Sequence, residues 1–327
     1  MKYNKIFNEE KWALVNVRNK VLLNDYLVEL KSNKRAASTI RGYRSYLRLA
    51  FCYILDELDN QYILDLKKRD FRKIKMWLID ERKVSPAMCN NVLSAIHNML
   101  DYAEDDEDYA YNYNVSRKIK RLPRHYIKEV YFLTDEQIAE LRDLLRIKRM
   151  FMHMCLLDFL YDSAARRAEI HQIKREGLLE RNHTNLVRGK GGKYFHILYF
   201  SRSKESLKLY LDERDDDLEE LWVSKRSGIV RPCSVESIYT AVCRMRKEFK
   251  IANGVYIPFT PHSFRHSSLE NLKRGTHYLC RELNKPNGFT LQELKVHAHH
   301  EDTSMTEYYL KKNDNNIIAN MFGIKME

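Results

Sequence analysis

Apolar positions recur at helical spacing through most of the chain. Ile40, Tyr43, Leu47 and Ala50 form one such stripe, and Ser38 or Thr39 stands where an N-cap is expected. The other face of that segment carries Arg41, Arg44 and Arg48. Phe71, Ile74, Trp77 and Leu78 mark another short helix. Ser85-Pro86 reads as an N-cap followed by proline at the first helical position, and Val92, Leu93, Ile96, Leu100 and Ala103 continue the apolar face behind it. About four amphipathic helices of this kind predict a small bundle. The stretch from Glu104 to about Lys128, acidic and then basic, reads as the bundle's end and an interdomain linker. Its Arg117, Lys118, Lys120, Arg121 and Arg124 are either solvated or laid along phosphates.

The second half opens on a helix start. Thr134 and Gln137 have capping-box spacing, with Leu133 and Ile138 placed as the flanking staple. Helices are expected to about Tyr161 and again from about Arg166. Asn185 to Arg188 and Lys193 to Phe200 read as two short strands around the turn Gly189-Lys190-Gly191-Gly192. The remainder reads as helical, interrupted by an exposed acidic run from Asp212 to Glu220. Thr260, Pro261 and Gly275 set the cap, first turn and end of one helix there. No internal repeat recurs at a fixed period.

Composition narrows the class. With 327 residues, 44% of them hydrophobic, 10 Gly and 6 Pro, the chain is long enough for two domains and too apolar to be disordered. Fifty-seven Lys and Arg against 45 Asp and Glu give a net charge of +12, an excess shared by both halves, which points to a polyanionic partner. The N-terminus has no apolar signal core, and the most apolar stretch, Met154 to Tyr161, is too short to span a bilayer and contains Asp158. A membrane partner is therefore not expected. Six scattered cysteines without a C-x-x-C pair suggest reduced thiols and a cytoplasmic protein.

Four segments could carry chemistry. Ser163-Ala164-Ala165-Arg166-Arg167-Ala168-Glu169-Ile170 puts an arginine pair at a helix start, either a surface feature or a guanidinium fork for phosphate oxygens. Lys190 sits in a glycine turn without Walker-A spacing, either solvated or reaching toward a phosphate or leaving group. His262 and Arg265 are i and i+3 on the capped helix, pairing a proton carrier with a cation near the positive end of the dipole. His297, His299 and His300 lie close together, but H-x-H-H matches no common zinc spacing, so no metal ligands and no cofactor are assigned.

In this order, these segments resemble the tyrosine recombinase (phage integrase) family, in its Xer-like two-domain form, over essentially the whole chain. Ser-Ala-Ala-Arg166-Arg-Ala-Glu-Ile is similar to the family's first arginine box, in which the functional arginine precedes x-x-Glu-hydrophobic. Leu-Val-Arg-Gly-Lys190-Gly-Gly-Lys looks like its hairpin lysine, and Thr-Pro-His262-Ser-Phe-Arg265-His resembles its H-x-x-R box. The family sets a histidine or tryptophan nine residues before its nucleophilic tyrosine. His300 with Tyr309 fits, and Met-Thr-x-x-Tyr favours that register; His299 with Tyr308 is the alternative. A glycine usually precedes that histidine, and here the residue is His299. Gly275 to Thr290 looks like an inserted loop, and because of it Leu291 to His297 could align as the histidine box instead. Ala36 to Arg44 resembles the Ser-x-x-Thr-x-x-x-Tyr helix of the family's core-binding domain. About 20 residues would precede the core-binding domain, too few for the arm-site domain of some integrases.

The resemblance implies a mainly α protein. Residues 1–22 would be an N-terminal extension, 23–110 a four-helix, SAM-like core-binding bundle, 111–130 the linker, and 131–327 a mostly helical catalytic domain with a small antiparallel hairpin. It implies metal-free strand cleavage through a 3′-phosphotyrosine on Tyr309. Arg166 and Arg265 would neutralise phosphate oxygens, Lys190 would protonate the leaving 5′-oxygen, His262 would take the tyrosine proton and His300 would bond the phosphate. Thr39, Arg41, Arg44, Arg48, Arg117, Lys118, Lys120 and Arg121 would contact the DNA. Partners would be double-stranded DNA with paired recombination sites and a homotetramer, a dimer per site, with the C-terminal tail docking into a neighbour. The setting would be a bacterial or phage-type cytoplasm, at the nucleoid. A type IB topoisomerase, a catalytically inactive DNA-binding regulator and a metal-dependent nuclease are the competing classes.

Overall fold

The computed structural model describes residues 9–123 and 131–299. The chain divides into two compact units, residues 1–128 and 129–327. The first is all helical: α1 (Glu9–Leu14), α2 (Val17–Ser32), α3 (Ala37–Glu57), α4 (Lys68–Asp80) and α5 (Pro86–Asp105). Leu22, Leu47, Phe51, Ile54, Ile74, Ile96 and Met99 make its core. The apolar stripes of α3, α4 and α5 all turn toward that core, which is why these segments form helices with one basic or acidic face left outside. Ser85 Oγ accepts from the Met88 N–H at 3.2 Å, with Pro86 at the first helical position.

Three readings of this half need correction. Residues 9–22 are no extension, because Val15, Asn19 and Leu22 are buried in the bundle. Asn19 accepts from the Ile63 N–H at 2.8 Å and donates to the Gln61 carbonyl at 2.9 Å, a pairing four helix turns of local pattern cannot reveal. Helix α3 begins at Ala37 with Ala36 as N-cap and no side-chain cap bond, so neither Ser38 nor Thr39 caps it. Residues 111–123 pack on the bundle instead of spanning freely. Asn90 brackets Leu122 with two bonds of 2.9 Å, and Asn114 and Ser116 are buried.

The second unit carries α6 (Asp135–Ile147), α7 (Phe151–Ser163), α8 (Arg167–Ile170), β1 (His183–Arg188), β2 (Tyr194–Leu198), α9 (Ser201–Asp212), β3 (Val223–Arg226), β4 (Ile229–Pro232), α10 (Val235–Asn253), α11 (Pro261–Arg274), α12 (Tyr278–Glu282) and α13 (Leu291–His297). The fold is mainly α with two separate two-stranded antiparallel sheets, β1–β2 and β3–β4. Helix α7 is the axis: it is buried from His153 to Ser163 and packs against α6, α9 and α11. The Thr134–Gln137 capping box forms as the sequence predicts. Among the described residues, no helix is long and apolar enough to cross a membrane.

The segment 276–290 is not a loop standing off the domain. It contains α12, whose Tyr278, Leu279 and Cys280 are buried. Tyr278 Oη donates to buried Asp162 of α7 at 2.7 Å, and Arg281 Nη2 reaches Asp135 of α6 at 2.7 Å. His277 stacks on Tyr161 with ring centroids 4.2 Å apart. The insert therefore fastens α6 and α7 together. Tyr278→Phe leaves the Asp162 carboxylate one donor short, and should lower unfolding free energy by about 1–3 kcal/mol. Urea denaturation checks this; an unchanged midpoint would remove the fastening role.

Candidate active site

Helix α7 stops at Ala164, whose φ of 51° turns the chain sharply. Ala164 and Ala165 are buried, and side chains no larger than methyl let this turn pass through the core. Arg166 follows as the N-cap of α8. Its backbone N–H donates to Glu169 Oε2 at 2.7 Å and its Nη1 to Glu169 Oε1 at 2.9 Å. Glu169 is buried, so one carboxylate fixes both ends of the arginine and leaves a quarter of its side chain exposed. Arg167 lies against Tyr239, its guanidinium carbon 5.7 Å from the ring centre.

Helix α11 has the predicted N-cap Thr260, Pro261 at its start and Gly275 as left-handed C-cap. Its residues divide by depth. His262 is exposed and lines an open groove of about 410 Å³ with Arg166, Arg167, Tyr239 and Thr260. Arg265 is only 1% exposed. Its Nη1 donates to the Ala164 carbonyl and its Nη2 to the Ala298 carbonyl at 2.6 Å. That guanidinium thus ties the α7 turn, one residue from groove-lining Ala165, to the end of α13. His266 is buried, edge-on to both Phe132 and His262.

The β1–β2 ribbon pairs Val187 with Phe195 and Arg188 with Tyr194. Lys190 lies exposed at its tip, in the short turn Lys190–Gly192. Gly189 is required by space: a Cβ there would stand 2.5 Å from the Phe195 ring and 3.4 Å from Glu169 Oε1. The hairpin root therefore abuts the carboxylate that holds Arg166. Gln172 secures the same root, donating to the Arg188 carbonyl at 3.0 Å and accepting from the Arg188 N–H at 2.9 Å. Gln172 carries no motif that sequence reading could have singled out.

Beyond α13, His299 adopts a φ of 51°, the left-handed region that favours glycine. Its ring stacks on Phe195, centroids 3.7 Å apart and planes 18° from parallel. Burial lowers its pKa; Glu169 opposes that, and Arg265 and Arg166 add to it. His297 is pushed down to about 4 by burial, then by His299 and Arg265. It bonds the Asp162 backbone, and its Nε2 is buried without a partner among the described residues. His297 should stay neutral down to about pH 5, as imidazole NMR titration would report. His300, Tyr308, Tyr309 and Arg124 lie outside the described residues.

The proposed DNA contacts divide as well. Thr39, Arg41 and Arg44 are exposed on α3, and Lys120 and Arg121 are exposed beyond α5. Arg48 is half-buried, its guanidinium carbon 5.0 Å from the Trp12 ring centre. Lys118 lies over Tyr113. Arg117 is exposed and pairs with Asp101 and Glu104 at the surface of the bundle. Among the described residues, no group of three or more His, Cys, Asp or Glu side chains is placed to hold a metal ion.

This arrangement of a helical unit with two small sheets has solved counterparts. A lambda integrase dimer bound to a COC′ core site has the same fold, with a TM-score of 0.66 over 89% of this chain and 76% of that one, at 16% identity. The Tn1549 transposon integrase in complex with circular intermediate DNA aligns with a TM-score of 0.61 over 88% and 94%, at 17% identity. In sequence, the SPbeta prophage-derived recombinase-like protein YomM of Bacillus subtilis is 25% identical over 234 residues, 67% of this chain and 69% of that protein. Tyrosine recombinase XerA of Thermococcus onnurineus is 24% identical over 294 residues, 89% and 90% of the two chains. The profile of the phage integrase family matches residues 131–316, and the chain belongs to that family.

Proposed function

We propose that this tyrosine recombinase cuts and rejoins DNA at specific sites with the residue roles set out below. The observation that carries the reading is the groove shared by Arg166 and His262, with Arg265 anchored beside it and the Lys190 hairpin seated against Glu169. In the first step the Tyr309 oxygen attacks phosphorus, its proton passing to His262, and the P–O5′ bond breaks. Lys190 donates a proton to the departing 5′-oxygen. Arg166 and Arg265 offset the charge that builds on the non-bridging oxygens, and His300 donates a hydrogen bond to one of them. A 5′-hydroxyl from a second duplex then reverses the step and exchanges strands.

The left-handed His299 supports the register in which His300 and Tyr309 act, because it stands where the family carries glycine. Thr39, Arg41, Arg44, Arg48, Arg117, Lys118, Lys120 and Arg121 would hold the duplex, chiefly through phosphates. The working assembly is a homotetramer, a dimer on each of two paired sites, joined by C-terminal tails, and it acts on cytoplasmic DNA at the nucleoid.

A duplex selected from a random-sequence library by retention on the protein supplies the substrate. Two labelled copies of it should yield recombinant joints. Relaxation of supercoiled plasmid at equal rates with and without that sequence, and no joints, would favour a topoisomerase.

A further inference from the structure

His299 and Phe195 stand outside the roles assigned above, yet they join the hairpin to the rest of the site. A two-stranded ribbon is marginal alone, and a lysine at its tip has many rotamers, so the root must be held for the ammonium to meet one oxygen. Three contacts hold it. Gln172 pins Arg188, the Gly189 N–H donates to the Lys193 carbonyl at 2.8 Å, and Phe195 fills the space beside Gly189. Phe195 is itself stacked on His299. His299 directly follows Ala298, whose carbonyl receives the Arg265 guanidinium. The stack thus connects the hairpin to α11 and to the segment leading to His300 and Tyr309.

We propose that His299 and Phe195 are a positioning pair that fixes the hairpin root so that Lys190 reaches the departing 5′-oxygen. The inference rests on the reading of Lys190 as the acid. In that step the tyrosine O–P bond forms, the P–O5′ bond breaks, and the Lys190 proton ends on O5′. Replacing that bridging oxygen with sulfur makes the leaving group a thiolate, which departs without a proton. A defect in delivering the acid is then repaired, whereas a defect in the arginine clamp or in folding is not.

The test measures single-turnover cleavage of the selected duplex with oxygen or sulfur at the bridging position. His299→Gly removes the ring and relaxes the backbone at a positive φ; Phe195→Leu removes the other partner and keeps an apolar side chain. Both should cleave the oxygen substrate roughly 10–100-fold slower than the parent protein. Both should cleave the sulfur substrate within about threefold of it. Lys190→Ala should show the same repair from a deeper loss, and Arg166→Ala should show none. Parent-like rates on the oxygen substrate, or equal defects on both substrates, would overturn the positioning role. An unrepaired Lys190→Ala would instead overturn Lys190 as the acid, and the proposal with it.

Discussion

Arg166→Ala is expected to slow strand cleavage on the order of 10³-fold while changing duplex affinity by less than about threefold. The side chain is one cation among 57 Lys and Arg, so its share of the overall attraction for a polyanion is small. Its position is another matter. Glu169 holds both its backbone N–H and its guanidinium, and the exposed remainder faces the groove beside His262. A donor fixed before charge develops costs nothing to reorganise in the transition state, which is where its effect is concentrated. Single-turnover cleavage beside fluorescence anisotropy on the same duplex separates the two quantities. Complete loss of binding would show that Arg166 holds DNA in the ground state.

Arg265→Ala should combine a comparable loss of cleavage with a loss of fold stability of about 2–5 kcal/mol. Arg265 is buried and donates to two backbone carbonyls, Ala164 at the α7 turn and Ala298 beyond α13. Truncation takes a donor from each and leaves a void among packed side chains. Arg265→Lys keeps the charge but cannot fork between the carbonyls, so it should recover only part of the stability. Denaturant midpoints test this directly. A fully stable Arg265→Ala that has lost only cleavage would contradict the anchoring geometry.

What could be read from the sequence was what neighbouring residues decide. Thr260, Pro261 and Gly275 begin and end α11, Thr134 and Gln137 cap α6, and the glycines around Lys190 mark the hairpin, all within a few residues. The stretches around Arg166, Lys190 and His262–Arg265 stood out for the same reason, each being a short run of neighbouring residues. Hidden from the sequence was whatever depends on partners distant along the chain. Arg117 gave no sign in the sequence that it would pair with Asp101 and Glu104. Segment 276–290 looked like a loop because Tyr278 finds Asp162 more than a hundred residues away. The β3–β4 hairpin lies in a stretch the apolar pattern read as helical, although Ser227-Gly228, both at positive φ, offered a local turn signal. Nothing in the pattern near His299 foretells a stack on Phe195.

The depth of Arg265 also refines the electrostatic picture. The sequence sets His262 and Arg265 on one helix face, but the fold puts the imidazole on the groove and the guanidinium beneath backbone carbonyls. Arg166 is thus the more accessible of the two arginines, and Arg265 the one whose placement depends on the whole domain.

The most direct test of the account is formation of a covalent adduct on a nicked suicide duplex carrying the selected site, in EDTA. A protein–DNA adduct should form without metal, persist in Tyr308→Phe and disappear in Tyr309→Phe. An adduct that requires magnesium, or one lost in Tyr308→Phe and kept in Tyr309→Phe, would contradict it.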